Sequence, residues 1–220
     1  MPYITLKNLG EDSFEEKKSV FTGHAKRVET EEEAIKFIDE IKSKNKQAKH
    51  NCYAYIIGDK MEIQRYTDDG EPQGTAGIPI LDVLKREKIV NAVIVVTRYF
   101  GGILLGTGGL TRAYVKGASI AIKSAGVITK VLGVNIKFKV DYDLFGKIQY
   151  ICNQKEWYIE NITYTENVAF EIISEKETES YIEKEIINIS SGKVEISKGD
   201  QAMYFKENNR LFCEIWVFMV

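Results

Sequence analysis

An apolar segment that leads into a glycine-rich turn dictates much of the local structure in this chain. Residues Val90–Thr97 (VNAVIVVT) are almost all apolar, which predicts a strand buried on both faces. Five glycines then fall between Gly101 and Gly109, and the apolar residues from Leu110 to Ser124 follow at helical spacing. Backbone N–H groups at the start of a helix commonly bind anions. The segment therefore predicts a strand, an anion-binding turn and a helix.

The turn matches neither of two familiar nucleotide-binding motifs. A P-loop has Lys and then Ser or Thr after its last glycine, whereas Thr107 and Gly108 follow Gly106 here. The dinucleotide-binding motif has a third glycine at the position that Thr111 occupies. We therefore expect backbone N–H groups to bind the anion without the lysine of a P-loop.

The predicted anion site combines the turn with three basic side chains. Arg112 and Lys116 share the polar side of the helix, opposite its apolar side, and Arg98 precedes the turn. Two alternatives remain open: the basic stripe is only a solvated face, or the glycines only allow close packing while Arg98 pairs with an acid such as Asp68. At least one of three glycines in the turn (Gly101, Gly102 or Gly108) is expected to have a positive φ. The full predicted site is Arg98, Gly101, Gly102, Gly106, Gly108, Gly109, Arg112 and Lys116.

The rest of the first half alternates between predicted strands and helices. Thr30 and Glu33 have the spacing of a capping box at a helix start. A short polar turn between two apolar segments predicts a hairpin. The predicted strands are Lys18–Val28, Asn51–Ile57, Met61–Tyr66 and Val90–Thr97, and the predicted helices begin at Thr30, near Thr75 and at Leu110.

The second half predicts the element order βαββαβ, which is the ferredoxin-like plan. Asp143 is the expected cap of its first helix, and a boundary near Val127–Lys130 divides the chain into residues 1–128 and 131–220. The apolar tail Leu211–Val220 (LFCEIWVFMV) predicts a final strand. If that strand lies at a sheet edge, it can associate with a second copy of the chain. The fold class expected for the whole chain is α+β.

Composition and charge limit where the protein is expected to act and what it can bind. The N-terminal segment has no apolar secretory signal, no segment is long enough to span a membrane, and the three cysteines are widely spaced. A cytoplasmic protein without membrane contact is expected. Residues 1–130 carry 20 basic and 17 acidic side chains, whereas residues 131–220 carry 10 and 15. Because nucleic acids bind mainly through their phosphates, RNA or the ribosome would contact the first half.

A few acidic and histidine side chains are candidates for metal binding or acid–base chemistry. Carboxylates clustered at Asp68, Asp69 and Glu71 could hold a divalent metal that bridges to a phosphate, but the same segment (DDGEP) is also typical of a plain turn. His24 and His50 are the only histidines; a structural role is favoured for each, and the two would form a candidate acid–base pair if they met in one cleft. The sequence identifies no reaction, so we expect no required cofactor and leave the catalytic residues unassigned.

Three segments of the first half resemble the YigZ/Impact family. They are HNCYAY (residues 50–55), DDGEPQGTAG (residues 68–77) and GIPILDVLKREKIVNAVIVVTRYFGGILLG (residues 77–106). The resemblance implies a first domain like the second domain of ribosomal protein S-five, and a second domain like the last domain of elongation factor G. It also implies a link to translation, because eukaryotic relatives regulate translation by binding an activator of a starvation-sensing kinase.

Three functional hypotheses follow. The leading one is a binding protein linked to translation that contacts RNA, the ribosome or a translation factor. The second is an enzyme that acts on a phosphorylated small molecule, with the glycine turn and a metal held by the acidic cluster. The third is an adaptor that binds only proteins and uses the basic stripe to meet an acidic partner.

Overall fold

The computed structural model describes residues 1–213, which divide into two compact units. The first unit is Tyr3–Ile128, and the second contains residues 129–213 together with Met1 and Pro2. Within the described residues, no helix is both long enough and apolar enough to cross a membrane.

The first unit is built on an antiparallel sheet with the strand order β2-β3-β6-β4-β5. Two local hairpins, β2–β3 and β4–β5, lie on either side of the central strand β6. The elements of this unit are β1 (Tyr3–Leu6), β2 (Gly10–Glu16), β3 (Ser19–Arg27), α1 (Glu31–Lys44), β4 (His50–Ile57), β5 (Ile63–Thr67), α2 (Gly77–Arg86), β6 (Ala92–Tyr99) and α3 (Thr107–Ala125).

Strand β6 is buried on both faces, as its apolar sequence predicts. Alternate side chains of a strand point to opposite faces. Val93 and Val95 belong to the apolar core that includes α1, whereas Ile94 and Val96 belong to the core that includes α2 and α3. The sheet therefore separates one helix from two, and a continuously apolar β6 is what this arrangement requires.

Helix α1 begins at the predicted capping residue. The Thr30 hydroxyl accepts a hydrogen bond from the backbone N–H of Glu33 at 3.2 Å. The Glu33 carboxylate accepts from the N–H of Glu29 at 2.7 Å, one residue before the cap. Both interactions satisfy N–H groups that have no partner inside the helix. The apolar residues that repeat at helical spacing in α1 are all buried, namely Ala34, Phe37, Ile38 and Ile41.

Helix α3 lies almost backbone to backbone against the sheet. A Cβ atom on Gly23 of β3 would overlap the carbonyl oxygen of Gly117, and one on Gly10 of β2 would overlap that of Ala121. Gly117 in turn leaves room for the side chain of Val96. Glycine at these positions sets how closely α3 approaches the strands.

The second unit confirms the predicted βαββαβ order. Its sheet runs β11-β10-β7-β9-β8, and its apolar core contains Ile136, Phe138, Phe170 and Ile186. The elements are β7 (Val127–Val140), α4 (Tyr142–Gln154), β8 (Ile159–Tyr164), β9 (Val168–Glu175), α5 (Glu179–Ile189), β10 (Glu195–Glu207) and β11 (Arg210–Phe212).

Two details of the second unit differ from the sequence prediction. The cap of α4 is Asp141 rather than Asp143, which lies in the first helical turn; an acidic residue is favourable at either place because of the helix dipole. The predicted final strand Leu211–Val220 overlaps β11 only at its start. Residues 214–220 of that segment lie outside the described residues, so the association site predicted for the tail is not tested.

Candidate functional site

A cleft of about 370 Å³ lies beside the start of α3 in the first unit. Arg98, from the end of β6, and Glu71, from the loop before α2, line it together. Apolar side chains of the glycine turn form much of the wall. The complete lining is Lys49, His50, Glu71, Pro72, Arg98, Phe100, Leu104, Leu105, Gly106, Thr107 and Leu110.

A buried ion pair joins Arg98 to Glu71. Nη1 of Arg98 lies 2.7 Å from Oε1 of Glu71, and the two side chains are only 6% and 3% exposed. The Tyr114 hydroxyl donates to the same carboxylate oxygen at 2.8 Å. Nη2 of Arg98 reaches Oγ of Ser19 at 3.4 Å, whereas its Nε–H is buried and has no partner among the described residues. Arg98 thus pairs with an acid, as the packing alternative expected, but the acid is Glu71 and not Asp68.

Tyr114 stays neutral beside this carboxylate. Burial raises the pKa of Tyr114, and the neighbouring Cys52 and Glu71 raise it further. Burial also raises the pKa of the Cys52 thiol. The protonated hydroxyl is therefore a donor to Glu71, and the Cys52 thiolate that a nucleophile would require is disfavoured.

The glycines of the turn have different roles. Gly102 and Gly106 have φ values of 84° and 72°, and the positive φ at Gly102 confirms the prediction of a special turn. Gly101 has a packing role instead: its N–H donates to Oγ of Ser19 at 3.1 Å, and a Cβ there would overlap the carbonyl oxygen of Lys18. The expectation that the whole turn presents its N–H groups to a cleft is therefore wrong at Gly101.

Helix α3 begins at Thr107, three residues before the predicted start at Leu110. Gly106 is the N-cap and supplies no side-chain cap, and its carbonyl accepts the first helical hydrogen bond from Leu110 at 2.9 Å. The N–H groups of Thr107, Gly108 and Gly109 precede that bond. A Cβ on Gly108 would meet only Nη1 of Arg112, at 3.7 Å. Gly106 and Thr107 line the cleft that contains Arg98.

Arg112 and Lys116 are not among the residues that line this cleft. They line a separate depression of about 210 Å³ with Gly109 and Phe14. Nζ of Lys116 is 4.1 Å from the centre of the Phe14 ring, which is within the range of a cation–π contact. The predicted cluster of three basic side chains is therefore divided, with Arg98 in one cavity and the other two in a second one.

The acidic cluster is engaged in local structure. The Asp68 carboxylate accepts from the N–H groups of Gly74, Ala76 and Gly77 at 2.8–3.0 Å, and so caps α2 from a distance. The Asp69 carboxylate accepts from the N–H of Asn51 at 2.6 Å and pairs with Lys42 at 3.3 Å. Within residues 1–213, no group of three His, Cys, Asp or Glu side chains is arranged to hold a metal ion.

The two histidines do not meet in one cleft. His50 pairs with Arg98 and His24 with Val95 across the sheet, so their side chains point to opposite faces. Nδ1 of His50 donates to the carbonyl oxygen of Asp69 at 2.8 Å. Nδ1 of His24 lies 3.1 Å from the Glu11 carboxylate, and burial lowers the pKa of His24.

Sequence reasoning missed the apolar tip of the glycine turn. Phe100, Ile103 and Leu104 are 43%, 41% and 81% exposed. The signal was present in the sequence, because three apolar residues (ILL) stand between glycines at 102 and 106. Ser19 was missed as well, since nothing in its local sequence indicates that it contacts both Arg98 and Gly101.

Comparisons with known proteins identify the family. Residues 17–122 match the profile of the Impact N-terminal domain, and residues 138–193 match a domain of unknown function (DUF1949). The chain is 42% identical over 210 residues to the IMPACT family member YvyE of Bacillus subtilis, covering 95% of this chain and 96% of that protein. The chain belongs to the IMPACT family.

A second relative and a solved structure are also similar to this chain. YigZ of Escherichia coli, also an IMPACT family member, is 33% identical over 150 residues, covering 67% of this chain and 74% of that protein. A solved structure described as that of a hypothetical protein superposes with a TM-score of 0.58 at 27% identity, covering 89% of this chain and 96% of its own. The cleft lies entirely within the Impact N-terminal match of this IMPACT family member.

Proposed function

We propose that this IMPACT family member is a cytoplasmic binding protein, without catalytic activity, that acts in translation or its regulation. Family membership and the translation-regulating role of eukaryotic relatives support the link to translation. The observation that carries the proposal is the exposed apolar tip of the glycine turn beside the cleft. We assign partner binding to this surface of the first unit.

The surface favours a translation-related protein over RNA as the partner. Phe100, Ile103 and Leu104 expose large apolar side chains close together along the chain, and contiguous exposed apolar surface is typical of protein-interaction sites. RNA affinity comes instead from many phosphate contacts with basic side chains. Around this cleft, Arg98 is already paired with Glu71, which leaves Lys49 as the cation at its rim.

The proposal of a binding protein also agrees with what the candidate catalytic groups do. Asp68 is occupied in capping α2, and Glu71 is occupied by Arg98 and Tyr114. The Cys52 thiol has its pKa raised by burial. Each of these groups is explained by a contact that stabilises the fold or by its burial, so none of the three supports the enzyme hypothesis.

The experiment uses a reconstituted translation system in which every factor and ribosomal component is defined. Tagged wild-type protein is recovered from it, and bound components are identified by mass spectrometry. Leu104→Asp is compared with Leu9→Asp, because Leu9 is also in the first unit and is 66% exposed. We expect the wild type and Leu9→Asp to recover one protein component, and Leu104→Asp to lose it.

Salt dependence separates the two kinds of partner. An apolar protein contact should persist between 50 and 200 mM salt, whereas an RNA contact should weaken by orders of magnitude over about that range. Recovery of ribosomal RNA with steep salt dependence, and with no difference between the two leucine variants, would replace the protein-partner proposal with the RNA alternative. Failure to recover any component would refute both.

A further inference from the structure

We propose that the cleft binds an oxyanion, a carboxylate or a phosphate, that is carried on an apolar group. The donors are the first N–H groups of α3, with Arg98 at the base of the cleft. This inference rests on the proposed function only in supposing that the oxyanion belongs to the binding partner. The site itself can be tested without that partner.

The start of α3 supplies donors that the helix does not use. The helix has 19 residues, and its first internal hydrogen bond runs from Leu110 to Gly106. Glycine at 106 and 108 leaves the backbone uncovered, since a Cβ built on Gly106 would have no heavy atom within 4 Å apart from those of residues 105–107. Thr107 lines the cleft directly. An anion at this position would meet both free N–H groups and the positive end of the helix dipole.

Arg98 provides an independent indication of a ligand. Its side chain is 94% buried and lines the cleft, yet its Nε–H has no partner among the described residues. A buried N–H without an acceptor costs free energy, which an acceptor entering the cleft would recover. Glu71 also lines the cleft and neutralises the Arg98 charge, so Arg98 contributes this N–H donor rather than a net positive charge.

The walls of the cleft determine what carries the oxyanion. Phe100, Leu104, Leu105 and Leu110 present apolar surface next to the polar end of the site. A volume of about 370 Å³ accommodates a ring or a large aliphatic side chain as well as an oxyanion. Lys49 at the rim adds a positive charge. The ligand is therefore amphiphilic, as an acidic or phosphorylated residue beside a bulky apolar one would be.

The geometry separates this site from the basic stripe. Lys116 lies in the neighbouring depression and contacts Phe14, so it is not a ligand-binding residue of the cleft. Removing Lys116 should leave binding nearly unchanged, and this makes Lys116→Ala a suitable control for the loss of one positive charge in the same region.

The experiment is an amide NMR titration of the full chain with four probes. These are 3-phenylpropionate, phenyl phosphate, inorganic phosphate and the neutral 3-phenylpropionamide. We expect saturable shifts of the amides of Thr107 and Gly108, and of the Arg98 Nε–H, with both aromatic anions. The neutral amide should leave these resonances in place, and inorganic phosphate should bind more weakly than phenyl phosphate. The aromatic anion with the lower Kd tells whether carboxylate or phosphate is preferred.

Thr107→Pro removes one backbone donor while keeping the helix, because proline is favoured at the first helical position. We expect its Kd for the preferred anion to rise about tenfold, as for loss of a hydrogen bond to a charged group. Lys116→Ala should change the Kd by less than about twofold, since Lys116 does not line the cleft and its exposed charge is screened by salt. If Thr107→Pro does not fold, Lys49→Gln is used instead, and we expect its Kd for the preferred anion to rise about threefold.

Two results would overturn the inference. One is that the neutral amide shifts the α3 amide resonances as much as the aromatic anions do. The other is an unchanged Kd in Thr107→Pro or, if that variant does not fold, in Lys49→Gln. The two proposals fail in distinguishable ways. Saturable anion binding without any recovered translation component would refute only the proposed function, whereas a recovered component without anion binding would refute only this site.

Discussion

Replacing Glu71 by glutamine removes the negative charge from the buried contact with Arg98 but nearly preserves the shape of the side chain. Both side chains are more than nine-tenths buried, and Nη1 lies 2.7 Å from Oε1. Removing one partner of such a pair costs about 3–5 kcal/mol, because the other charge stays buried without compensation. Glutamine retains a carbonyl oxygen that can accept from Arg98, so we expect about 3 kcal/mol.

A matched variant separates charge from hydrogen bonding. Tyr114→Phe removes only the hydroxyl that donates to Glu71, and should cost about 1.5–3 kcal/mol, as for a hydrogen bond to a charged group. In the double variant the two costs should not add, because both changes act on one carboxylate oxygen.

Urea unfolding followed by circular dichroism and by tryptophan fluorescence provides the assay. Both tryptophans, at positions 157 and 216, come after the first unit in the sequence. The circular dichroism transition of the first unit should move to lower urea in Glu71→Gln, while the fluorescence transition should stay in place. A loss below about 1 kcal/mol would refute the buried-charge reasoning, since surface ion pairs are worth no more than that.

Three further predictions concern other parts of the chain. Gly101→Ala should destabilise the first unit by about 1–3 kcal/mol, because the added Cβ would overlap the Lys18 carbonyl. Gly108→Ala should leave the stability unchanged or raise it by up to about 1 kcal/mol. Urea unfolding of both variants checks this, and equal changes in their unfolding free energies would contradict it. Burial lowers the pKa of His24 below 6.5, so the unfolded chain binds more protons and stability should fall as the pH drops below about 6.5. The unfolding free energy should therefore differ less between pH 5 and pH 7 in His24→Gln than in the wild type. An equal difference in the two proteins would exclude His24 as the cause. Cys213 is exposed and the other two thiols are buried. Ellman's reagent should therefore titrate one thiol rapidly in the native protein and three in urea. Rapid titration of all three thiols in the native protein would contradict the burial of Cys52 and Cys152.

Much of the fold follows from periodicity and capping. The buried faces of α1 and α3, the buried β6 and the order of the second unit all carry strong apolar patterns. Strand β2 (GEDSFEE) was not predicted because only Gly10 in it is buried. A strand of this kind forms because its neighbour β3 pairs with it along its whole length, which no pattern within β2 indicates.

The glycine turn and the helix after it were predicted from the sequence, whereas the contacts of Arg98 were not. The sequence identifies the open start of α3, because that depends on neighbouring glycines. It does not identify Glu71 as the partner of Arg98, since 27 residues separate them and their contact depends on the loop before α2. Helical spacing correctly groups Arg112 with Lys116, but only the packing of α3 decides which cavity they line.

The central position of β6 has a consequence for synthesis of the chain. The hairpins β2–β3 and β4–β5 can form locally, yet each must wait for β6 to cover its inner edge. After β4 ends at Ile57, the ribosome still has to add residues 58–99, which takes about 2–8 s at typical elongation rates. During that interval the inner edges of β3 and β4 can pair with other nascent chains. Slow codons between positions 58 and 99 should therefore lower the soluble yield, although the finished protein would have an unchanged sequence.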